Sequence, residues 1–153
     1  MYNYLDFILV LISVHMNKGP IYIVDDDKDD DDLVRDAFND LGVKNEIKFF
    51  RTGESVVRQL ENSDEVPFLI ISDVNLPKMD GFELREKILK ESSITDKTVP
   101  FIFWSTTVSE AQIKRAYELS AHGFFVKGRS YSELKTKLRE MVTYWNDSLS
   151  PQS

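Results

Sequence analysis

Acidic side chains collect at the ends of apolar runs in this chain. The run Ile21 to Val24 ends in Asp25, Asp26 and Asp27, and the run Phe68 to Ile71 leads into Ser72 and Asp73. Val99 to Trp104 ends in Ser105, Thr106 and Thr107, Gly123 to Val126 ends at Lys127, and the run 47–50 offers only Arg51 and Thr52. Carboxylates held within a few ångström repel and desolvate one another, which raises their pKa values unless a cation compensates. Oxygen donors without His or Cys suit a hard ion such as Mg²⁺, which binds through one or two carboxylates and leaves positions for water and phosphate oxygens. A carboxylate facing such an ion can act as a nucleophile toward a phosphoryl group. Charge spread over the transferring oxygens can then be met by the ion, an ammonium group and a hydroxyl. The sequence supplies one candidate for each role.

These side chains need a scaffold that brings strand ends together. Ile21-Tyr22-Ile23-Val24 reads as a buried strand. A helix follows, with Leu33, Val34, Ala37, Phe38 and Leu41 on one face and Gly42 as its stop. Ile47 to Phe50 reads as a strand away from the most buried positions, because Lys48 interrupts it. Thr52-Gly53 opens a helix carrying Val56, Val57 and Leu60. Phe68 to Ile71 is the most apolar strand and is expected at the centre. Gly81 to Leu89 reads as a helix with Phe82, Leu84, Ile88 and Leu89 inward. Val99 to Trp104 and Gly123 to Val126 are the last two strands. Ser109-Glu110-Ala111-Gln112 and Ser130-Tyr131-Ser132-Glu133 are capping boxes, the second opening a helix that buries Leu134, Leu138, Met141, Val142 and Trp145. Alternating strands and helices with short loops predict a doubly wound five-stranded parallel α/β sheet with helices on both faces. Ligands bind such sheets outside the carboxyl ends of the strands.

The strings Ile-Val-Asp-Asp-Asp at 23–27, Ile-Ser-Asp-Val-Asn-Leu-Pro-Lys-Met-Asp-Gly at 71–81 and Phe-Phe-Val-Lys at 124–127 closely resemble response-regulator receiver domains. The resemblance covers about residues 20–147 and implies the flavodoxin-like strand order 2-1-3-4-5. It implies that Asp73 accepts a phosphoryl group from a phosphohistidine donor. That donor would be a sensor histidine kinase or a histidine phosphotransfer protein. Asp25 and Asp26 would serve with Asp73 and the backbone carbonyl of Asn75 as the Mg²⁺ site. Ser105 and Lys127 would meet the phosphoryl group, and Phe124 would be the switch aromatic coupled to Ser105. Pro77 and Gly81 would shape the loop after the third strand. The output would be altered binding of another protein at the face of the fourth helix, fifth strand and fifth helix. The chain would be a signalling receiver in the cytoplasm, not an enzyme with an external substrate. Gly128 stands where the family usually has proline, so the bond before it is expected to be trans and the loop more mobile.

Other features weigh less. The chain has 153 residues, 42% of them hydrophobic, which is enough for one domain with a core. No cysteine is present, so disulfides and thiolate metal sites are excluded. A net charge of -7 argues against nucleic-acid binding. Leu5 to Val14 is apolar but too short to cross a bilayer, and no basic segment precedes it. It is expected to pack on the domain or on a second copy, giving a homodimer, and Met16-Asn17-Lys18-Gly19 reads as a natural start ahead of the first strand. The expected division is an extension at 1–18, a receiver domain at 19–147 and a polar tail at 148–153, with no room for an output domain. Asp29 to Asp32 either cap and solvate a helix or tune the metal site. A calcium loop over 25–36 is rejected, since Asp30 and Asp36 occupy its glycine and glutamate positions. Trp104 and Trp145 are expected in packing, and His15 and His122 have no partner pattern. A scaffolding receiver that is never phosphorylated is the main alternative. An aspartate-nucleophile phosphatase acting on external substrates is the third reading, but neither its Asp-x-Asp pair followed by a hydroxyl nor its cap is recognisable.

Overall fold

Continuous β-branched and aromatic runs make strands that are covered on both faces, and three such runs here are buried along their whole length. The computed structural model describes residues 3–6, 19–94 and 98–148. Beyond one helical turn at 4–6, the elements are β1 (Ile21–Val24), α1 (Lys28–Asp40), β2 (Ile47–Phe50), α2 (Gly53–Asn62) and β3 (Leu69–Asp73). They continue with α3 (Gly81–Lys90), β4 (Phe101–Ser105), α4 (Glu110–Glu118), β5 (Gly123–Val126) and α5 (Tyr131–Asp147). All four strand pairings are parallel, in the order β2-β1-β3-β4-β5. β3 is the central strand, as its composition predicts. β2 lies at an edge and all four of its residues are half-buried, so Lys48 can reach Glu65 at 2.8 Å.

Side chains alternate across the sheet and build two cores. Tyr22, Val24, Ile70, Phe101 and Phe103 pack with Val56, Val57, Leu84, Ile88 and Ala116 beneath α2, α3 and α4. Ile21, Ile23, Leu69, Ile71, Ile102 and Trp104 pack with Val34, Phe38, Leu134, Leu138 and Met141 beneath α1 and α5. Burying a side chain of this size is worth about 1.5–3 kcal/mol, so the two layers hold the strand ends in fixed register.

Several details depart from the sequence reading. β3 and β4 each extend further than the apolar runs suggest. The ladder continues through Ser72 and Asp73, with Asp73 paired to Trp104, and Ser105 is paired to Val126. Asp73 and Ser105 are therefore the last residues of strands rather than loop residues. Leu33 was expected inward but is 43% exposed, while Asp31 is only 3% exposed. Leu33 and Val34 are adjacent and so lie about 100° apart on a helix. The helix puts Val34 at the centre of its face, which carries Asp31 in and turns Leu33 out. The box at Ser109 is complete. At Ser130 only half forms, because Glu133 accepts from the Arg129 N–H at 2.7 Å instead of from the cap.

The greater part of the N-terminal extension, including His15, lies outside the described residues. Of its described part, Tyr4 and Leu5 are exposed and Asn3 accepts a hydrogen bond from the Asp6 N–H. No helix among the described residues is long and apolar enough to cross a membrane.

Candidate functional site

Register explains why the acids meet. Val24 pairs with Ser72, so Asp25 and Asp73 occupy neighbouring positions one step further along β1 and β3. Asp73 is 9% exposed and Asp25 only 1%. Lys127 follows β5, on the far side of β4. Its backbone N–H donates to the Ser105 carbonyl at 2.8 Å, which carries the strand pairing past Val126. From there its ammonium reaches Asp25 Oδ2 at 2.8 Å and Asp73 Oδ2 at 2.9 Å. The ammonium also lies over the Trp104 ring, with Nζ 5.1 Å from the centroid.

Loops complete the pocket. The Asn75 N–H donates to Asp73 Oδ1 at 3.0 Å, which fixes the second carboxylate oxygen. The Asp27 N–H does the same for Asp25 Oδ1 at 2.9 Å. After β3 the chain turns tightly through Lys78, whose φ of 67° is left-handed, and the Gly81 N–H returns to the Val74 carbonyl at 2.8 Å. Any Cβ at Gly81 would collide with the Asp73 carbonyl oxygen, so the turn requires glycine there. The bond between Lys127 and Gly128 is trans. Gly128 lies against the first turn of α5, where a Cβ would come within 2.7 Å of the Leu134 nitrogen.

The electrostatics are those of a crowded acid pocket. Burial pushes the Asp25 carboxyl above its ordinary pKa, and the charge of Asp73 adds to this against the pull of Lys127 and the Asp27 N–H. Burial opposes the Lys127 charge, but Asp25 and Asp73 outweigh it and raise its pKa. Carboxylate oxygens of Asp25, Asp26 and Asp73 all lie within 4.8 Å of one another. Three hard oxygen donors this close, one of them on an exposed residue open to water, fit a divalent ion that keeps part of its hydration shell. The buried hydroxyl of Ser105 has no hydrogen-bond partner among the described residues. Phe124 is half-buried and its ring sits 6.2 Å from that of Phe103, on the same side of the sheet as Ser105.

All the sequence-picked residues therefore fall around one end of the sheet, but not in one cluster. Asp25, Asp73 and Lys127 touch directly. Asp26 closes the carboxylate group, and Ser105 stands apart with its hydroxyl unpaired. Two residues of the Asp29 to Asp32 tract, weighed above only as a group, have individual contacts. Asp30, in the first turn of α1, gives Lys127 a third carboxylate at 3.1 Å. Asp31 is buried and pairs with Arg51 at 2.9 Å, while its Oδ1 has no partner among the described residues. Burial pushes its carboxyl up to about 6, against the opposing charge of Arg51. The tract Asp29 to Asp32 is thus not uniformly solvated: Asp29 receives the cap from Asp27, and the next two residues turn inward. Trp104 packs as expected and also lies under the lysine. The signal available for Asp30 and Asp31 was helical phase relative to Val34.

Arg85 is a further buried charge that the sequence reading left out. Its Nε donates to the Leu119 carbonyl and an Nη to the Ser120 carbonyl, both at 3.0 Å. Desolvation lowers its pKa to about 10. It ties α3 to the C-terminal end of α4, where Ser120 takes a left-handed φ of 57°.

Comparisons with known proteins agree with this architecture. The probable methanogenesis regulatory protein FilR2 of Methanothrix harundinacea is 26% identical over 129 residues, covering 82% of this chain and 82% of that protein. Response regulator Rcp1 of Synechocystis sp. is 26% identical over 135 residues, covering 85% of this chain and 90% of Rcp1. The Mn²⁺-bound structure of Rcp1 superposes with a TM-score of 0.74 at 27% identity, over 86% of this chain and 97% of that one. The phosphorylated cyanobacterial phytochrome response regulator RcpA gives a TM-score of 0.78 at 26% identity, over 88% of this chain and 98% of that one. The family model described as "Response regulator receiver domain" matches residues 21–139, a stretch that begins with β1 and ends within α5, and by that match the chain belongs to the response-regulator receivers.

Proposed function

We propose that the protein is a two-component receiver that accepts a phosphoryl group on Asp73 and, in response, changes its affinity for another protein. The observation that carries this reading is the lysine ammonium held at 2.9 Å from Asp73 and 2.8 Å from Asp25 beside a three-carboxylate cluster. Asp25, Asp26, Asp73 and the Asn75 carbonyl would hold Mg²⁺, which when bound neutralises charge on phosphoryl oxygens. A carboxylate oxygen of Asp73 attacks the phosphorus of a phosphohistidine. The new P–O bond forms an acyl phosphate as the P–N bond breaks, and its electron pair returns to the imidazole, which takes up a proton. Lys127, already bonded to Asp73, follows the charge that develops on the phosphoryl group. Ser105 supplies a hydroxyl with no competing protein partner among the described residues. Its movement toward the phosphoryl group would let Phe124 repack and bias the face of α4, β5 and α5 between two states.

The donor in this reading is a sensor histidine kinase or a histidine phosphotransfer protein, and the output is a separate protein. The receiver unit is residues 19–147, acting in the cytoplasm, with 1–18 as an extension able to join two copies. It turns over only its own acyl phosphate. The test is incubation with acetyl phosphate or beryllofluoride plus Mg²⁺. The expected result is a mass gain or spectral change that Asp73→Asn abolishes. Equal behaviour of wild type and Asp73→Asn would overturn it.

A further inference from the structure

At the other end of β5 from Lys127 lies a cavity of 370 Å³ walled by α4, β5 and α5. Tyr117 of α4, His122 and Phe125 flanking Gly123 of β5, and Glu140, Tyr144 and Trp145 of α5 form its sides. Tyr117 is 57% exposed and Tyr144 63% exposed, so both rings present apolar surface to water. Trp145 meets His122 at 5.4 Å and Tyr144 at 4.9 Å between ring centres, both edge-on, so the aromatics form one connected wall.

We propose that this slot receives the arginine side chain of a basic segment on a partner protein. The proposal rests on the reading of this face as the output surface and gives it a ligand chemistry. Aromatic rings attract a cation through their quadrupole. Glu140 adds a full negative charge, and it forms no ion pair among the described residues. An apolar guest would desolvate that carboxylate without compensation, and an acidic guest would be repelled. A guanidinium satisfies both demands, because its flat faces stack on rings while its N–H groups bond a carboxylate. His122 does not compete as a cation. Its Nδ1 accepts from the Phe101 N–H at 3.0 Å, and burial together with the Arg85 charge holds its pKa below the ordinary value. The net charge of -7 also favours a basic partner. The slot is joined to the acid pocket by the strands themselves. Phe125 neighbours Phe124, Lys127 directly follows the same strand, and the His122 N–H donates to the Phe101 carbonyl at the start of β4.

The test uses two synthetic amphipathic peptides that differ only in one central residue, arginine or its neutral isostere citrulline. Each is titrated into the full chain while the indole resonance of Trp145 and peptide anisotropy are followed. The arginine peptide is expected to shift the Trp145 signal and to bind about tenfold or more tightly than the citrulline peptide. Glu140→Gln, at an exposed position, should weaken the arginine peptide and leave the citrulline peptide unchanged. Equal binding of the two peptides, or no Trp145 shift at millimolar peptide, overturns the proposal. Repeating the titration with beryllofluoride and Mg²⁺ separates the two readings. Unchanged arginine-peptide affinity there would count against the output role of the face, while the citrulline difference decides the chemistry of the slot.

Discussion

Replacing Lys127 with methionine keeps an unbranched side chain that fills most of the same space and removes the ammonium with its charge and hydrogen bonds. The lysine side chain is 8% exposed, and its ammonium is shared among Asp25, Asp73 and Asp30 at 2.8, 2.9 and 3.1 Å. Removing one member of a buried ion pair leaves the other uncompensated and costs about 3–5 kcal/mol. An exposed pair would cost about 0.2–1 kcal/mol. Against a total stability of about 5–15 kcal/mol, the larger figure lowers Tm by roughly 6–20 °C for a chain of this size. The loss should depend on conditions in a defined direction. Burial already raises the Asp25 pKa, and loss of the lysine raises it further. The folded variant then binds protons more tightly than its unfolded chain, so its stability rises as pH falls and the gap to wild type narrows. Millimolar Mg²⁺ should narrow it as well, by binding the folded acid cluster. Urea unfolding followed by tryptophan fluorescence at pH 7 and pH 5, with and without Mg²⁺, measures all three. A loss under about 1 kcal/mol, or one indifferent to both pH and Mg²⁺, would refute the argument that Lys127 neutralises this pocket.

Two further outcomes follow from the same packing. Gly128→Ala places a Cβ against Glu133 and within 2.7 Å of the Leu134 nitrogen, so the loop must move away from α5. Overpacking of this kind costs about 1–3 kcal/mol, and the displaced Lys127 should slow acetyl-phosphate labelling of Asp73; unchanged stability and unchanged labelling would show that the approach is not tight. The Asp31 carboxyl is pushed up to about 6 by burial, so its contribution to stability is least favourable above that pH and improves as pH falls through it. Asp31→Asn should therefore flatten the change in urea midpoint between pH 7 and pH 5, and an identical slope in both proteins would contradict the burial argument.

The strands were legible because a parallel sheet buried on both faces demands continuous β-branched and aromatic runs, and few other structures tolerate them. The clustering of charge was legible for a related reason: charge placed directly after such runs has to collect at one end of the sheet. Strand order was not readable from the pattern and came from resemblance. What escaped were contacts that depend on helical phase or long side chains. Leu33 and Asp31 both suit a face containing Val34, and only the packed helix decides between them. Asp30 counts as a ligand of Lys127 only once a residue 97 positions later is in place. Arg85 resembles a surface residue in sequence, because its partners are backbone carbonyls 34 and 35 positions on. Glu133 matches the capping-box pattern yet bonds the residue before the cap.

The two cores described above divide the molecule into compartments with different duties. Asp25, Asp73 and Lys127 belong by alternation to the side roofed by α1 and α5, where Asp30 and Trp104 also reach them. Ser105 and Phe124 belong to the side roofed by α2, α3 and α4. The sheet is thus a bulkhead, and under the function proposed above a phosphoryl group on Asp73 would reach Ser105 only over its rim. Substitutions in the first compartment should alter how fast the site is loaded and emptied. Substitutions in the second should alter what a loaded site does to a partner, so the two properties can diverge independently in evolution.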